Sequence, residues 1–177
     1  GGVVSFQTVG TCVLNFNQSG STTYQAAPQV QQSFAVGKGT QTITVTSAAP
    51  SSATALGATY TPTATTNAGL SVTITVDATA SSVCSISGGV VSFLTSGTCV
   101  LNFNQSGNVN WNAATQVQQS FSVAKTSQSV TITSTAPSSA TALGDTYTPS
   151  ATSSSSLTVA ITVDATASSV CSISGGV

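Results

Sequence analysis

The sequence predicts an all-β chain in which one small antiparallel unit is repeated in tandem. Three observations predict it. Leu70, Val72, Ile74 and Val76 alternate with Ser71, Thr73, Thr75 and Asp77, and similar alternation recurs along the chain. That is the pattern of strands with one buried face. The helical signal is weak everywhere. GGVVSF at residues 1–6 returns as GGVVSF at residues 88–93, and the register then holds without a gap to residue 177. The period is 87 residues (88 minus 1), and two periods leave three residues over. Solenoid and propeller repeats run from about 20 to 50 residues, so a period of 87 is instead the size of a whole small domain.

One complete unit reads from residue 38 to residue 124. Its first strand, residues 41–47, points Ile43 and Val45 one way and threonines the other. The second, residues 59–65, directs Tyr60 and Ala64 inward. Pro62 within it has no N–H for a ladder, so this strand is expected at an edge or a bulge. The third, residues 70–77, has the cleanest alternation. The fourth, residues 83–87, puts Cys84 and Ile86 on one face. Ser87, Gly88 and Gly89 make a tight turn into the fifth, residues 90–93, with Val91 and Phe93 inward.

After Gly97 the sixth strand, residues 98–105, faces Cys99, Leu101 and Phe103 inward. A polar loop at residues 108–114 carries Trp111. The seventh strand, residues 116–123, sets Val117, Phe121 and Val123 on one side. Gln119 breaks that parity, which marks a bulge or an inward amide in need of partners. Seven short strands with turn signals every 8 to 12 residues read as an Ig-like seven-stranded antiparallel β-sandwich. The antibody-type disulfide is absent, because Cys84 and Cys99 are only 15 residues apart and no Trp lies on the third strand.

Residues 1–37 then supply the last three strands of one sandwich, and residues 125–177 the first four of another. Neither part can bury a sheet face alone. The expectation is that they complete each other across copies, or that the polypeptide continues. The short joints at residues 35–40 and 122–127 leave neighbouring units little freedom to swing.

The inward parity of Cys84 and Cys99 places both sulfurs in one core, so an intrachain disulfide is expected. Closing a loop of that size contributes about 3 kcal/mol in the chain-entropy model. Position 186, which is 171 plus 15, is equivalent to Cys99 and Cys12, so Cys171 is expected to pair with Cys12 of a neighbouring copy or with residues beyond the chain. Disulfides imply an oxidising, extracytoplasmic location.

Composition narrows function further. The chain has two Lys, three Asp and no Glu, Arg, His or Met. Charged residues are 3%, against about 25% in ordinary proteins. A net charge of −1 gives copies little mutual repulsion and favours association. There is no basic patch for nucleic acid and no apolar run long enough for membrane insertion by a helix. Without His or Glu there is no Ser-His-Asp triad and no acid–base carboxylate pair, so no enzyme, cofactor or metal site is expected. One Asp per repeat, Asp77 or Asp164, falls short of a calcium site and reads as a turn-stabilising residue. Lys38 and Lys125 occupy the joints, a poor place for an isopeptide crosslink, and read as exposed.

Tyr24 and Trp111 are equivalent loop aromatics, able to stack on a sugar or a neighbouring copy, or to plug the end of a sandwich. Asn17 and Asn104 begin glycosylation sequons, which chance supplies readily in so Asn- and Ser-rich a chain. Thr-x-Thr runs such as TITVT, residues 42–46, read as outward strand positions rather than an ice-binding face.

PSSATALGATYTPTAT (residues 50–65), VDATASSVCSISGGVVSF (residues 76–93) and GTCVLNFNQSGNVNWNAA (residues 97–114) resemble the tandem Ig-like repeats of very large bacterial surface and secreted proteins. In those, a G-T-C strand is followed by a G-N-x-x-[YW]-x-A-A loop. The resemblance covers the whole chain. It implies a bacterial extracellular or cell-surface setting and an adhesin-like or fibre-forming role, and it supplies no catalytic residues. The expected function is therefore a structural fibre or stalk whose partners are neighbouring copies of itself. The alternative is an adhesin-type module that holds a carbohydrate through Tyr24 and Trp111.

Overall fold

The structure, a computed structural model, describes residues 2–175. It is all-β and consistent with the β-sandwich class, with only two single 3-10 turns among the described residues. The chain divides into two compact units, one ending at Lys125 and one beginning at Thr126.

The first unit opens with a hairpin of β1 (Gly10–Gln18) and β2 (Ala27–Val36), which among the described residues pair only with each other. It continues through β3 (Ile43–Val45), β4 (Ala53–Thr54), β5 (Ala64–Thr66), β6 (Thr73–Val76), β7 (Cys84–Ser87), β8 (Val90–Phe93), β9 (Gly97–Asn104) and β10 (Val117–Ala124). One sheet has the order β4-β10-β9-β6, with β4 parallel to β10 and the other pairs antiparallel. Elsewhere β3 pairs with β5 and β7 with β8. Tyr60 links these two ribbons through reciprocal backbone bonds with Val91, of 3.0 and 2.7 Å. Between the two sets of strands lies one core, built on Val91, Phe93, Leu101, Phe103, Phe121 and Val123. Gly88 and Gly89 both adopt positive φ, 57° and 81°, the conformation that a two-residue hairpin between β7 and β8 demands.

The ladders depart from the expected strands where local bonding intervenes. The strand expected over residues 59–65 is regular only at its end. Pro62 is buried and has no donor, so pairing is reduced to the Tyr60 bridge and to β5. The strand expected over residues 70–77 starts at Thr73, because Thr66 Oγ1 bonds both the N–H and the carbonyl of Leu70 and holds the preceding turn. It ends at Asp77, whose Oδ1 accepts from Thr79 N at 3.0 Å and from Thr79 Oγ1 at 2.6 Å and so caps the 3-10 turn Ala78–Ala80. Gln119 makes no bulge. It faces Leu101 in unbroken register, and its amide is satisfied by Tyr60 Oη at 2.8 Å and the Ser47 carbonyl at 3.1 Å.

In the second unit β11 (Val130–Ile132) pairs antiparallel with β12 (Ala151–Ser153). Asp164 caps a 3-10 turn at Ala165–Ala167. Its local bonds echo those 87 residues earlier. Ser134 Oγ meets Tyr147 Oη at 2.6 Å, as Ser47 Oγ meets Tyr60 Oη at 2.6 Å. Leu143 repeats the positive φ of Leu56. No described residue of this unit is buried.

Candidate functional site

Three features bear on function: a disulfide through the core, a loop that holds an aromatic ring at a joint, and two apolar faces left open. Each is built from the same repeated residues.

Cys84 on β7 and Cys99 on β9 are bonded, with Cα atoms 5.8 Å apart and both side chains buried. The bond ties the β7–β8 ribbon to the four-stranded sheet. It fits an oxidising, non-cytoplasmic environment. Cys12 and Cys171, at the equivalent positions, are free thiols, half-buried and exposed respectively.

The loop after β9 is shaped by amides. Gln105 Oε1 accepts from Gly107 N and Gln41 Nε2, each at 2.5 Å. Asn108 Oδ1 accepts from Asn110 N and Trp111 N, each at 2.9 Å, a side chain mimicking a backbone turn. The loop closes on the start of the unit. Gly39 N donates to the Asn110 carbonyl at 2.8 Å, and Asn112 N to the Gly39 carbonyl at 2.9 Å. The Trp111 ring lies on Gly39 so closely that a Cβ there would stand 2.8 Å from Cζ3. Lys38 Nζ donates to the Asn108 carbonyl at 2.8 Å. Asn110 Oδ1 in turn accepts from Thr8 Oγ1 at 2.7 Å and Val9 N at 3.1 Å. Trp111 is thus a packed element of a joint, with Asn110 bonded to the segment ahead of β1.

Tyr24 stands on the matching loop between β1 and β2, where Ser21 Oγ accepts from Thr23 N and Tyr24 N. Tyr24 is 76% exposed.

The open faces carry residues whose twins form the core. Phe103 is 0% exposed, whereas Phe16 of β1 is 53% exposed. Ile43 is 8% exposed, whereas Val130 of β11 is 59% exposed. The two sequons lie on the outer sides of strands. Asn104 Oδ1 accepts from Gln116 Nε2 at 2.9 Å, and Asn17 Oδ1 from Gln29 Nε2 at 3.0 Å.

Sequence reasoning singled out the four cysteines and both aromatics, but not Asn110, Gln41 or Gly39. Gln41 had a signal, since it shares the parity of Ile43 and Val45 and is buried like Ile43. Gly39 had a weaker one: its equivalent is Thr126, a change at the same joint where Trp111 replaces Tyr24. Among the described residues no helix is long and apolar enough to cross a membrane. No protein-family model matches the chain, and neither does any curated protein or solved structure.

Proposed function

We propose that the chain is a structural element of an extracellular fibre or stalk, built from serial Ig-like sandwiches of 87 residues that resemble bacterial surface repeats. The β3–β5 and β7–β8 ribbons, bridged at Tyr60 and Val91, share one core with the sheet β4-β10-β9-β6, which supports the Ig-like reading. One observation carries the serial reading. GTCVLNFN occurs twice, as the buried strand β9 and as the uncovered strand β1, so the second copy of the motif needs the cover that the first one has. Short joints, the Trp111–Gly39 packing and the core disulfide give such a series its stiffness.

Strands of eight to ten residues are about 26–34 Å long, so each 87-residue repeat should advance the axis by a few tens of ångström. The test is X-ray scattering from one polypeptide carrying residues 1–174 directly ahead of residues 1–177, which preserves the period. A rod with a domain-spaced axial repeat is expected; a compact particle would retire the proposal. The exposure of Tyr24 favours one second reading, a carbohydrate-binding module. Glycan-array binding that disappears in Tyr24→Ala would put that reading in place of the spacer.

A further inference from the structure

We infer that residues 126–175 of one molecule dock on the β1–β2 hairpin of a second molecule, and that a Cys171–Cys12 disulfide seals the joint. This rests on the serial-sandwich reading and names its partner as another copy of the same chain. The template for the interface is already inside the molecule, where the equivalent residues 39–88 cover β9 and β10. Three features of that template transfer.

The first is the core disulfide. Cys84 joins Cys99, and the equivalents Cys171 and Cys12 are both free. The second is a polar register pin. Tyr60 Oη donates to Gln119 Oε1, and Gln119 Nε2 to the Ser47 carbonyl. Tyr147 already sits on Ser134 Oγ and lacks only the amide, which Gln32 on β2 supplies in the docked pair. The third is a size match. Trp111 requires Gly39, because a Cβ there would meet the indole. Docking on the hairpin puts Thr126 against Tyr24 instead, a larger residue against a smaller ring. Residues 126–175 therefore suit a hairpin that carries Tyr24 better than one that carries Trp111.

The covalent step is thiol–disulfide exchange with a small disulfide such as oxidised glutathione. The Cys171 thiolate attacks it, forms a mixed disulfide and releases one glutathione thiol. The Cys12 thiolate of the partner then displaces the second. Two protein thiols are oxidised, and one glutathione disulfide is reduced to two thiols.

The test uses the full chain with oxidised glutathione, read by non-reducing electrophoresis and peptide mass. The unmodified chain is expected to give a ladder of multimers. Cys12→Ser mixed with Cys171→Ser is expected to stop at a dimer linked through Cys171 and Cys12. Tyr24→Trp should cut that dimer about tenfold, and Thr126→Gly in the other partner should restore it. A Cys12–Cys171 bond within one monomer, like-with-like cysteine pairs, or glutathione adducts alone would overturn the inference. If the fused two-copy polypeptide still scatters as a rod, those outcomes retire the docking and leave the serial reading standing.

Discussion

At the scale of single residues, polar side chains set much of the geometry. Gln119 takes an inward place on β10 because its amide serves two groups there: it accepts from the Tyr60 hydroxyl, which also meets Ser47 Oγ, and donates to the Ser47 carbonyl. Gln119→Ala should cost about 1–3 kcal/mol in urea unfolding, the usual penalty when a polar group, here the Ser47 carbonyl, loses its partner. Tyr60→Phe should cost less in the Gln119→Ala background than alone, and a double-mutant cycle reads that coupling. Asp77 answers to pH. The Thr79 hydroxyl first, then the Asn102 amide and the Thr79 N–H, lower its pKa from 3.8 to about 2. A folded pKa below the unfolded one adds stability at higher pH and loses it as the carboxylate protonates. Urea midpoints should therefore hold steady from neutral pH to about 5 and fall between about 4 and 2. In Asp77→Asn that acid-side drop should flatten. Asp164, lowered chiefly by the Thr166 hydroxyl, is a second contributor with the same sign.

At the scale of elements, one strand sequence stands in two environments. Leu101 on β9 is fully buried and Leu14 on β1 is half-buried. Leu101→Ala should cost about 2–5 kcal/mol, whereas Leu14→Ala should cost less than about 1 kcal/mol, as expected of a site without a packed core. Thermal unfolding of the two variants checks the contrast. The same comparison shows what the sequence made legible. Inward parity picked out Val91, Phe93, Leu101, Phe103, Phe121 and Val123, all buried, because period-two alternation survives wherever a ladder is regular. The bounds of β7 to β10 came within one residue for that reason. β4 carried no such signal: two residues, Ala53 and Thr54, run parallel beside Val123 and Ala124, too short a stretch for any period. Asp77 and Asp164 read as turn-stabilising in the sequence, and each caps a turn; the 3-10 form itself was not read, although Asp-x-Thr, an acceptor two residues ahead of its donor, announces it. The joint around Trp111 was only half legible. Gly39 is tied to it by close approach across 72 positions (111 minus 39), and spacing along the chain does not encode that.

At the scale of the whole molecule, low charge and short joints act together. The only two trypsin sites, Lys38 and Lys125, are not equally open. The bond after Lys38 runs into Gly39, which is held by backbone bonds to Asn110 and Asn112, while the bond after Lys125 falls between the two compact units. Limited digestion should cut after Lys125 first, giving fragments 1–125 and 126–177 by intact mass, with residues 1–38 released only later. With a net charge of −1 there is little long-range repulsion for salt to screen, so contact between copies should be nearly indifferent to ionic strength. The pairing of Trp111 with Gly39 has a last consequence. In a polymer of such molecules the links are not all alike. If the proposed docking forms, a broad indole on a bare backbone would alternate with a phenol ring against a threonine, one kind inside every molecule and the other at every seam. Diffraction from aligned specimens would then carry faint half-order reflections, a superlattice that a string of identical beads cannot produce.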